Sequence, residues 1–370
     1  YDLLRQSAAF IKMAQCREPG PSYGQIVNSL SPFSAKKSMV RDMCYAIIAL
    51  ARLGHITECR EALEFLLNSK SGRFQSIVIN GAQFGMGKPY AVSLSHYAGM
   101  GDERAMFIDG HPVIHLDGQG LFLWAFAEYL KRSTDFQFAR TYWPKVTQFV
   151  IEPLISSIGP KGLIRPDGGW WDMPYPGEHF TYTSLAAYKG LNSASMVAHM
   201  LEKDIQSTHY IKIAADLRSN ILTQLTVGKS LMMVRSLETR DFPFFLDATV
   251  VEAVNWRVVD PFWKTANSIS QSLDIFFRVA DSTRGYSMGY GPDKIQMPES
   301  PFITLRAYKA LLKLGEKQKA QEVLDWVIEQ AIRNAEIIPQ YLSLTTAEYS
   351  GAYPMIGLGA APYILAILPD

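Results

Sequence analysis

The stretch ALARLGHITECREALEFLL, residues 49–67, and its counterpart ALLKLGEKQKAQEVLDWVI, residues 310–328, decide the fold. Each runs from an apolar helical end into a glycine, Gly54 or Gly315, and then directly into a second amphipathic stretch. A glycine after the last apolar turn takes the left-handed conformation that stops a helix and lets the chain turn back at once. The two stretches read as copies of one antiparallel helical hairpin. Working outward, the 3.6-residue periodicity predicts helices over 2–16, 40–53, 57–69, 118–132, 135–157, 182–204, 206–225, 247–258, 261–280, 300–314, 316–334 and 353–368.

The links between these spans alternate in length. Those within a hairpin are a few residues long, whereas 17–39, 70–117, 158–181, 226–246, 281–299 and 335–352 are much longer. Strict alternation places every long link at the same end of an antiparallel array. The segment LFLWAFA, residues 121–127, and the last helix are apolar nearly all round, as helices packed on every side must be. Helices 57–69 and 316–334 instead carry a charged outer face. The predicted fold is all-α: six inner helices ringed by six outer ones, an (α/α)6 barrel, in one domain over 1–370. A helical solenoid would show a tighter repeat length.

Composition narrows the function. With 370 residues, 48% hydrophobic and 19% charged, the chain is neither disordered, nor collagen-like, nor a disulfide-stapled mini-protein. Lys and Arg number 36 against 35 Asp and Glu, so nothing favours nucleic acid or an anionic membrane, and a neutral ligand fits. Aromatic residues make up 12% of the chain and could serve the core or stack on sugars. Cys16, Cys44 and Cys59 are odd in number and form no CxxC, which predicts reduced or buried thiols. The uncharged run Tyr349–Leu368 holds two prolines and three glycines and lacks a basic flank, so it is expected to be a core helix and not a membrane span. The chain begins at Tyr1 and not Met, the expectation for a chain that has lost a leader or upstream segment. The compartment stays open: soluble, and cytoplasmic, periplasmic or secreted.

In such a barrel the long links crowd the N-termini of the inner helices, where unpaired N–H groups and positive dipole ends attract carboxylates and hydroxyls. The link GLIRPDGGWWDMPYPGEHFTY, residues 162–182, sets Asp167, Asp172 and Glu178 beside Trp170, Trp171, Tyr175 and Tyr182, with His179 next in line. An acid against tryptophan is desolvated, which raises its pKa and suits it to protonating a leaving oxygen. Equally, the tryptophans could plug the barrel mouth and leave the acids solvated. Arg41 and Asp42 open an inner helix as sugar-binding groups or as a cap and ion pair; Asp117 opens another and is a sound N-cap in its own right. Glu299 precedes a first-turn proline, Pro301. Gly85-Met-Gly-Lys-Pro89 fails as a phosphate loop, with Ala82 and Pro89 at the required positions. His111 and His115 lack an acidic third ligand for zinc. No metal or organic cofactor is expected.

Four blocks, SMVRDMCYAIIALARLG (38–54), IHLDGQGLFLWAFAEYL (114–130), GLIRPDGGWWDMPYPGEHFTYTSLAA (162–187) and GAYPMIGLGAAPYILAIL (351–368), resemble in order the successive blocks of the glucoamylase-type glycoside hydrolases, family 15. FGMGKPYAVSL (84–94) resembles the segment before the HLDG block of fungal glucoamylases. The resemblance implies an inverting exo-hydrolase that releases terminal glucose from α-glucans or α-glucosides, and a neutral α-glucoside or oligosaccharide as partner. Inversion uses two carboxyls roughly 6.5–9.5 Å apart, one as acid and one activating water. Asp172 matches the family's acid in the G-G-x-W-E block, Arg41 and Asp42 match the pair on the terminal glucose hydroxyls, and Asp117 and Trp171 match residues near the sugar. Trp170, Glu178 and His179 are further substrate-binding candidates.

Two positions depart from the family. The acid is Asp, one methylene shorter than Glu, and misplacement on the order of 1 Å can cost about a hundredfold in rate. The position of the general base, in Ile338-Pro-Gln-Tyr341, holds Gln340, which cannot accept a proton. Glu348 and Glu299 are the substitutes considered. The alternative is a non-catalytic carbohydrate-binding or regulatory barrel that lost its catalytic base. A terpene cyclase or prenyltransferase would need Asp-rich or zinc motifs, which the sequence lacks.

Overall fold

Gly54 and Gly315 both stand at φ +82°, and at each the chain reverses within a few residues. The computed structural model describes residues 2–30, 37–79, 82–279, 285–291 and 293–369. Parts of the links 17–39, 70–117 and 281–299, and the last residue of the span 261–280, lie outside the described residues. Each predicted helical span is occupied by a helix. The outer set is α1 (Asp2–Met13), α3 (Ile56–Asn68), α5 (Phe136–Val146, continued by Thr147–Ile151 and Glu152–Ser156), α7 (Asp204–Gln224), α9 (Lys264–Ser272, continued by Leu273–Phe277) and α11 (Lys317–Arg333). The inner set is α2 (Val40–Arg52), α4 (Asp117–Ser133), α6 (Thr181–Met200), α8 (Ala248–Val251 and Glu252–Asn255), α10 (Pro301–Lys313) and α12 (Ile356–Ala360 and Ala361–Ile367).

The inner helices form a closed ring: α2 packs on α4, α4 on α6, α6 on α8, α8 on α10, α10 on α12, and α12 back on α2. Ring closure makes this an (α/α)6 barrel and excludes a solenoid. Every residue of α2 from Val40 to Ala51 is buried, as is α4 from Asp117 to Leu130, whereas α3 and α11 bury one face only. α4 and α6 approach each other closely. A Cβ on Gly120 would stand 2.2 Å from the Ala186 carbonyl oxygen, and one on Gly190 would stand 2.5 Å from Gly120 Cα, so only glycine permits this contact.

Three spans are less regular than their periodicity predicts. In α5 the helix widens into a π turn over Thr147–Ile151, just after Pro144 has removed a backbone donor. In α12 a π turn over Ile356–Ala360 precedes Pro362, and Gly357 lies so close to α2 that a Cβ would meet the Asp42 carbonyl oxygen at 2.2 Å. The span expected over 247–258 contracts to a 3-10 turn and one short helical turn; its Thr-Val-Val run disfavours regular helix, and Arg257 is left-handed at φ +60°. The long links fold into short antiparallel ribbons, the largest joining Ser38–Met39, His96–Tyr97 and Glu103–Arg104. The terminal helix is buried as expected. No helix among the described residues is long and apolar enough to cross a membrane.

Candidate functional site

α2 starts one residue after the Ser38–Met39 strand, which puts Arg41 and Asp42 in its first turn, at the end of the barrel where the long links gather. Arg41 is only 7% exposed. Its Nε donates to Asp117 Oδ2 at 2.5 Å, its Nη2 donates to the Gly169 carbonyl at 3.0 Å, and its guanidinium lies 4.2 Å above the Trp170 ring. One cation thereby ties α2, α4 and the 158–181 link together. Burial opposes its charge, but the adjacent Asp117 carboxylate outweighs this and holds the guanidinium pKa above its ordinary value. Burial pushes the Asp42 carboxyl up to about 7 against the opposing pull of Arg41. Asp42 Oδ1, Asp117 Oδ1 and His115 Nδ1 are buried and have no hydrogen-bond partner among the described residues. Such groups cost free energy until a ligand or water satisfies them.

Asp172 sits at the rim, left-handed at φ 51°, immediately after the 3-10 turn Gly169–Trp171. Its Oδ1 lies 2.8 Å from His115 Nε2. The expectation that tryptophan raises its pKa is reversed. Enclosure in the link does act upward, but the hydrogen bond and charge of His115 and the Arg41 cation together hold the carboxyl below its ordinary value. Nor do the two indoles cover it. Trp170 stacks on Phe302 at 4.6 Å, and Trp171 donates its Nε1–H to Asp247 Oδ2 at 3.0 Å beneath the Arg235 guanidinium. Asp167, fully buried, is the acid that burial does raise, to about 7. It accepts the Leu116 N–H and the Thr183 hydroxyl, fixing the link to α4 and α6.

The remaining candidates do not converge on this group. Glu178 accepts from the Ser236 and Thr239 hydroxyls, and His179 is held through its backbone N–H and ring by Glu238. Both clamp the 158–181 link to the 226–246 link. Glu299 is fully buried and turned outward, accepting the indole N–H of Trp326 on outer helix α11 at 2.8 Å. Glu348 lies exposed in a turn, bonded to Thr346. These bonds tie Glu299 to the outer layer and Glu348 to its own turn. Gln340 turns its Oε1 back to the Ala352 N–H at 3.1 Å, within a hairpin that pairs Tyr341–Leu342 with Tyr349–Ser350. His111 Nδ1 meets the Tyr175 carbonyl at 3.1 Å, and His115 Nε2 meets Asp172.

Two features escaped sequence reasoning. Tyr341, beside Gln340, has its phenol pushed up by burial and then by the negative charge of Asp172 and Asp42. Further down the axis, Glu252 of α8 accepts a bidentate pair from Arg306 of α10 at 2.5 and 2.7 Å and a third bond from the Tyr45 hydroxyl at 3.0 Å. Tyr45 meets the Tyr182 hydroxyl at 3.3 Å, and Tyr182 packs edge-on against Trp170. The signal was present: Glu252 and Arg306 are charges inside otherwise apolar inner helices.

An (α/α)6 barrel whose mouth holds a buried Arg–Asp pair under a Trp-bearing link, with a carboxylate at the rim, has the architecture of a glucoamylase-type glycosidase domain. The chain belongs to Glycosyl hydrolases family 15, whose profile matches residues 5–335. It is 24% identical over 352 residues to Trehalase 2 of Sulfolobus acidocaldarius, covering 91% of this chain and spanning 57% of that protein. Among solved structures it is similar to a glycosidase in complex with glucose (TM-score 0.74, 16% identity, 99% of this chain and 95% of that one). It is also similar to the glucoamylase of Saccharomycopsis fibuligera (TM-score 0.73, 13% identity, 99% and 93%). A bacterial glucoamylase complexed with acarbose matches at TM-score 0.72 and 15% identity, with 99% of this chain and 55% of that one covered.

Proposed function

We propose that the chain forms one glycoside-hydrolase domain that removes a terminal α-linked glucose from a small α-glucoside or α-glucan. The observation that carries this reading is the pair of buried, unpartnered carboxyl oxygens, Asp42 Oδ1 and Asp117 Oδ1, gathered with the unpartnered His115 Nδ1 around a fixed cation. A polyhydroxylated ring brings hydroxyl donors to satisfy them and an apolar face for the aromatic wall. The likeness to Trehalase 2 makes trehalose the first substrate to try. In this mechanism Arg41, Asp42 and Asp117 hold the terminal sugar, Asp172 donates its proton to the glycosidic oxygen as the bond to the anomeric carbon breaks, and a water oxygen bonds to that carbon and gives up its proton to solvent. Because His115 and Arg41 hold Asp172 low, its acid form is populated only in acid, and the reaction rate falls as pH rises through that pKa.

The second reading is a sugar-binding barrel without turnover. It is favoured by Gln340, whose Oε1 is committed to its own hairpin at the position of the family's base. Glucose release from trehalose, maltose and longer α-glucosides between about pH 3 and 7 separates the two. Release that Asp172→Asn abolishes supports hydrolysis. Saturable binding of the same sugars with no release at any pH replaces it with the second reading.

A further inference from the structure

His115 stands two residues before α4 and is buried, whereas the Asp172 side chain that it meets is half-exposed. Bonds on both sides of the imidazole set the distance between them. The His115 backbone N–H donates to the Leu94 carbonyl at 2.6 Å. Its neighbours reach the link that carries Asp172: the Ile114 carbonyl accepts the Gly168 N–H at 2.6 Å, and the Leu116 N–H donates to Asp167 Oδ2 at 2.8 Å. Asp172 is held less firmly. Its backbone is left-handed, and among the described residues only His115 hydrogen-bonds its side chain. The ordinary account is a surface ion pair, which contributes little and orders little. A buried imidazole, anchored through its own backbone and through both neighbours, does not fit that account.

The second nitrogen of the ring adds an independent constraint. An ionised carboxylate only accepts, so the ring nitrogen 2.8 Å from Asp172 Oδ1 carries a proton. In the neutral ring this is the Nε2–H tautomer, with Nδ1 as an acceptor. The same contact could also be made the other way round, with the Asp172 proton on Oδ1 donated to Nε2 and the ring proton moved to Nδ1. Nδ1 is buried and has no partner among the described residues, so that arrangement buries an N–H without an acceptor. The proton that Asp172 takes up is therefore left to Oδ2, which bonds no described residue. The bare Nδ1 also speaks against a proton relay, because a ring that passes a proton between its nitrogens needs a partner at each. Arg41, Lys37, Asp42, Asp117, Asp167, His96 and Tyr341 are the charged and titratable groups around the pair, and none of them bonds Nδ1.

We propose that His115 is the positioning residue of the acid: its Nε2–H fixes Asp172 Oδ1, and its bare Nδ1 leaves Oδ2 as the oxygen that delivers the proton to the glycosidic bond. The role rests on the hydrolytic reading of the site. In the step itself the Oδ2 proton passes to the leaving oxygen, and His115 keeps its own. Ring-labelled 15N spectra of the full chain, with the His115 signals identified by their loss in His115→Gln, report the tautomer at a pH where the ring is neutral, with or without turnover. The Nε2–H form is expected; the Nδ1–H form overturns the proposal. In glucose release, His115→Phe should lower the limiting kcat at acid pH about tenfold or more, with KM unchanged. His115→Gln, whose amide keeps a donor at that reach, should restore most of kcat. An unchanged kcat in the Phe variant, or a Gln variant no better than Phe, overturns the positioning role while hydrolysis stands. A parent that releases glucose from none of trehalose, maltose and longer α-glucosides fails the hydrolytic reading instead, and the role falls with it.

Discussion

At the mouth of the barrel the buried cation Arg41 is set among Asp42, Asp117 and Asp172, and the Asp42 Oδ1 and Asp117 Oδ1 oxygens are buried without a partner among the described residues. At the far end the composition differs: among the described residues seven cations and Glu128 line a cavity, beside the buried indoles of Trp124 and Trp256. Both ends belong to the same six inner helices, so the difference comes from what each terminus is given to face. N-termini present N–H groups and tolerate carboxylates; C-termini present carbonyls and tolerate ammonium and guanidinium groups. The barrel is therefore polarised along its axis. The Glu252–Arg306 pair, bonded to the Tyr45 hydroxyl, lies between the two ends.

The largest effect is expected at Arg41. Arg41→Met strips Asp117 of its partner inside the protein and removes the cation from Trp170. Stability should fall by about 3–5 kcal/mol, measured by urea unfolding, and glucose release should be lost even where the protein remains folded. A variant that keeps its stability would mean that Asp117 is solvated and that the mouth is not the desolvated pocket described here.

Glu252→Gln tests the separation of the two ends. It leaves the Arg306 guanidinium buried against a neutral amide and should cost about 3 kcal/mol. If the ends act independently, the KM for the sugar stays within error at a temperature where the variant is folded. A changed KM would show that the Tyr45–Tyr182–Trp170 contacts transmit the loss to the mouth.

These two positions also show where sequence was legible. The barrel could be read because its two determinants are local: glycine caps such as Gly54 and Gly315, and the alternation of link lengths. Arg41, Asp42 and Asp117 could be placed because each opens an inner helix. The roles of link residues could not, because they depend on which distant segment lies opposite. Glu178 and His179 meet the 226–246 link, Glu299 meets the outer helix through Trp326, and Asp172 meets a histidine 57 positions away. The pKa expectation for Asp172 failed for that reason: adjacency to tryptophan in sequence did not become burial against it in space.

His115→Gln turns that error into a measurement. It removes the imidazole that helps hold Asp172 low, so Asp172 keeps its proton to higher pH. With Asp172 as acid, the alkaline limb of the pH–rate profile for glucose release moves to higher pH in the variant. A limb that stays in place removes Asp172 from the role of acid.

Trp171→Phe should give the smallest change and addresses whether the tryptophan link is scaffold or sugar wall. The ring shape survives, but Asp247 loses one of its donors and keeps the Thr249 backbone N–H at 2.8 Å. A hydrogen bond to a charged group is worth about 1.5 kcal/mol at its lower end, and the unfolding free energy should drop by about that amount. The sign of its pH dependence follows from Asp247. Burial raises its folded pKa above the unfolded 3.8, and the Trp171 donor opposes that rise. Removing the donor raises it further, so the folded variant binds its proton over a wider range, and its stability keeps falling with pH beyond the point where the parent has levelled off. The stability gap between parent and variant should therefore be smallest below the unfolded pKa and largest at neutral pH. If sugar affinity falls tenfold while this gap is absent, Trp171 acts on the ligand and the Asp247 bond is incidental.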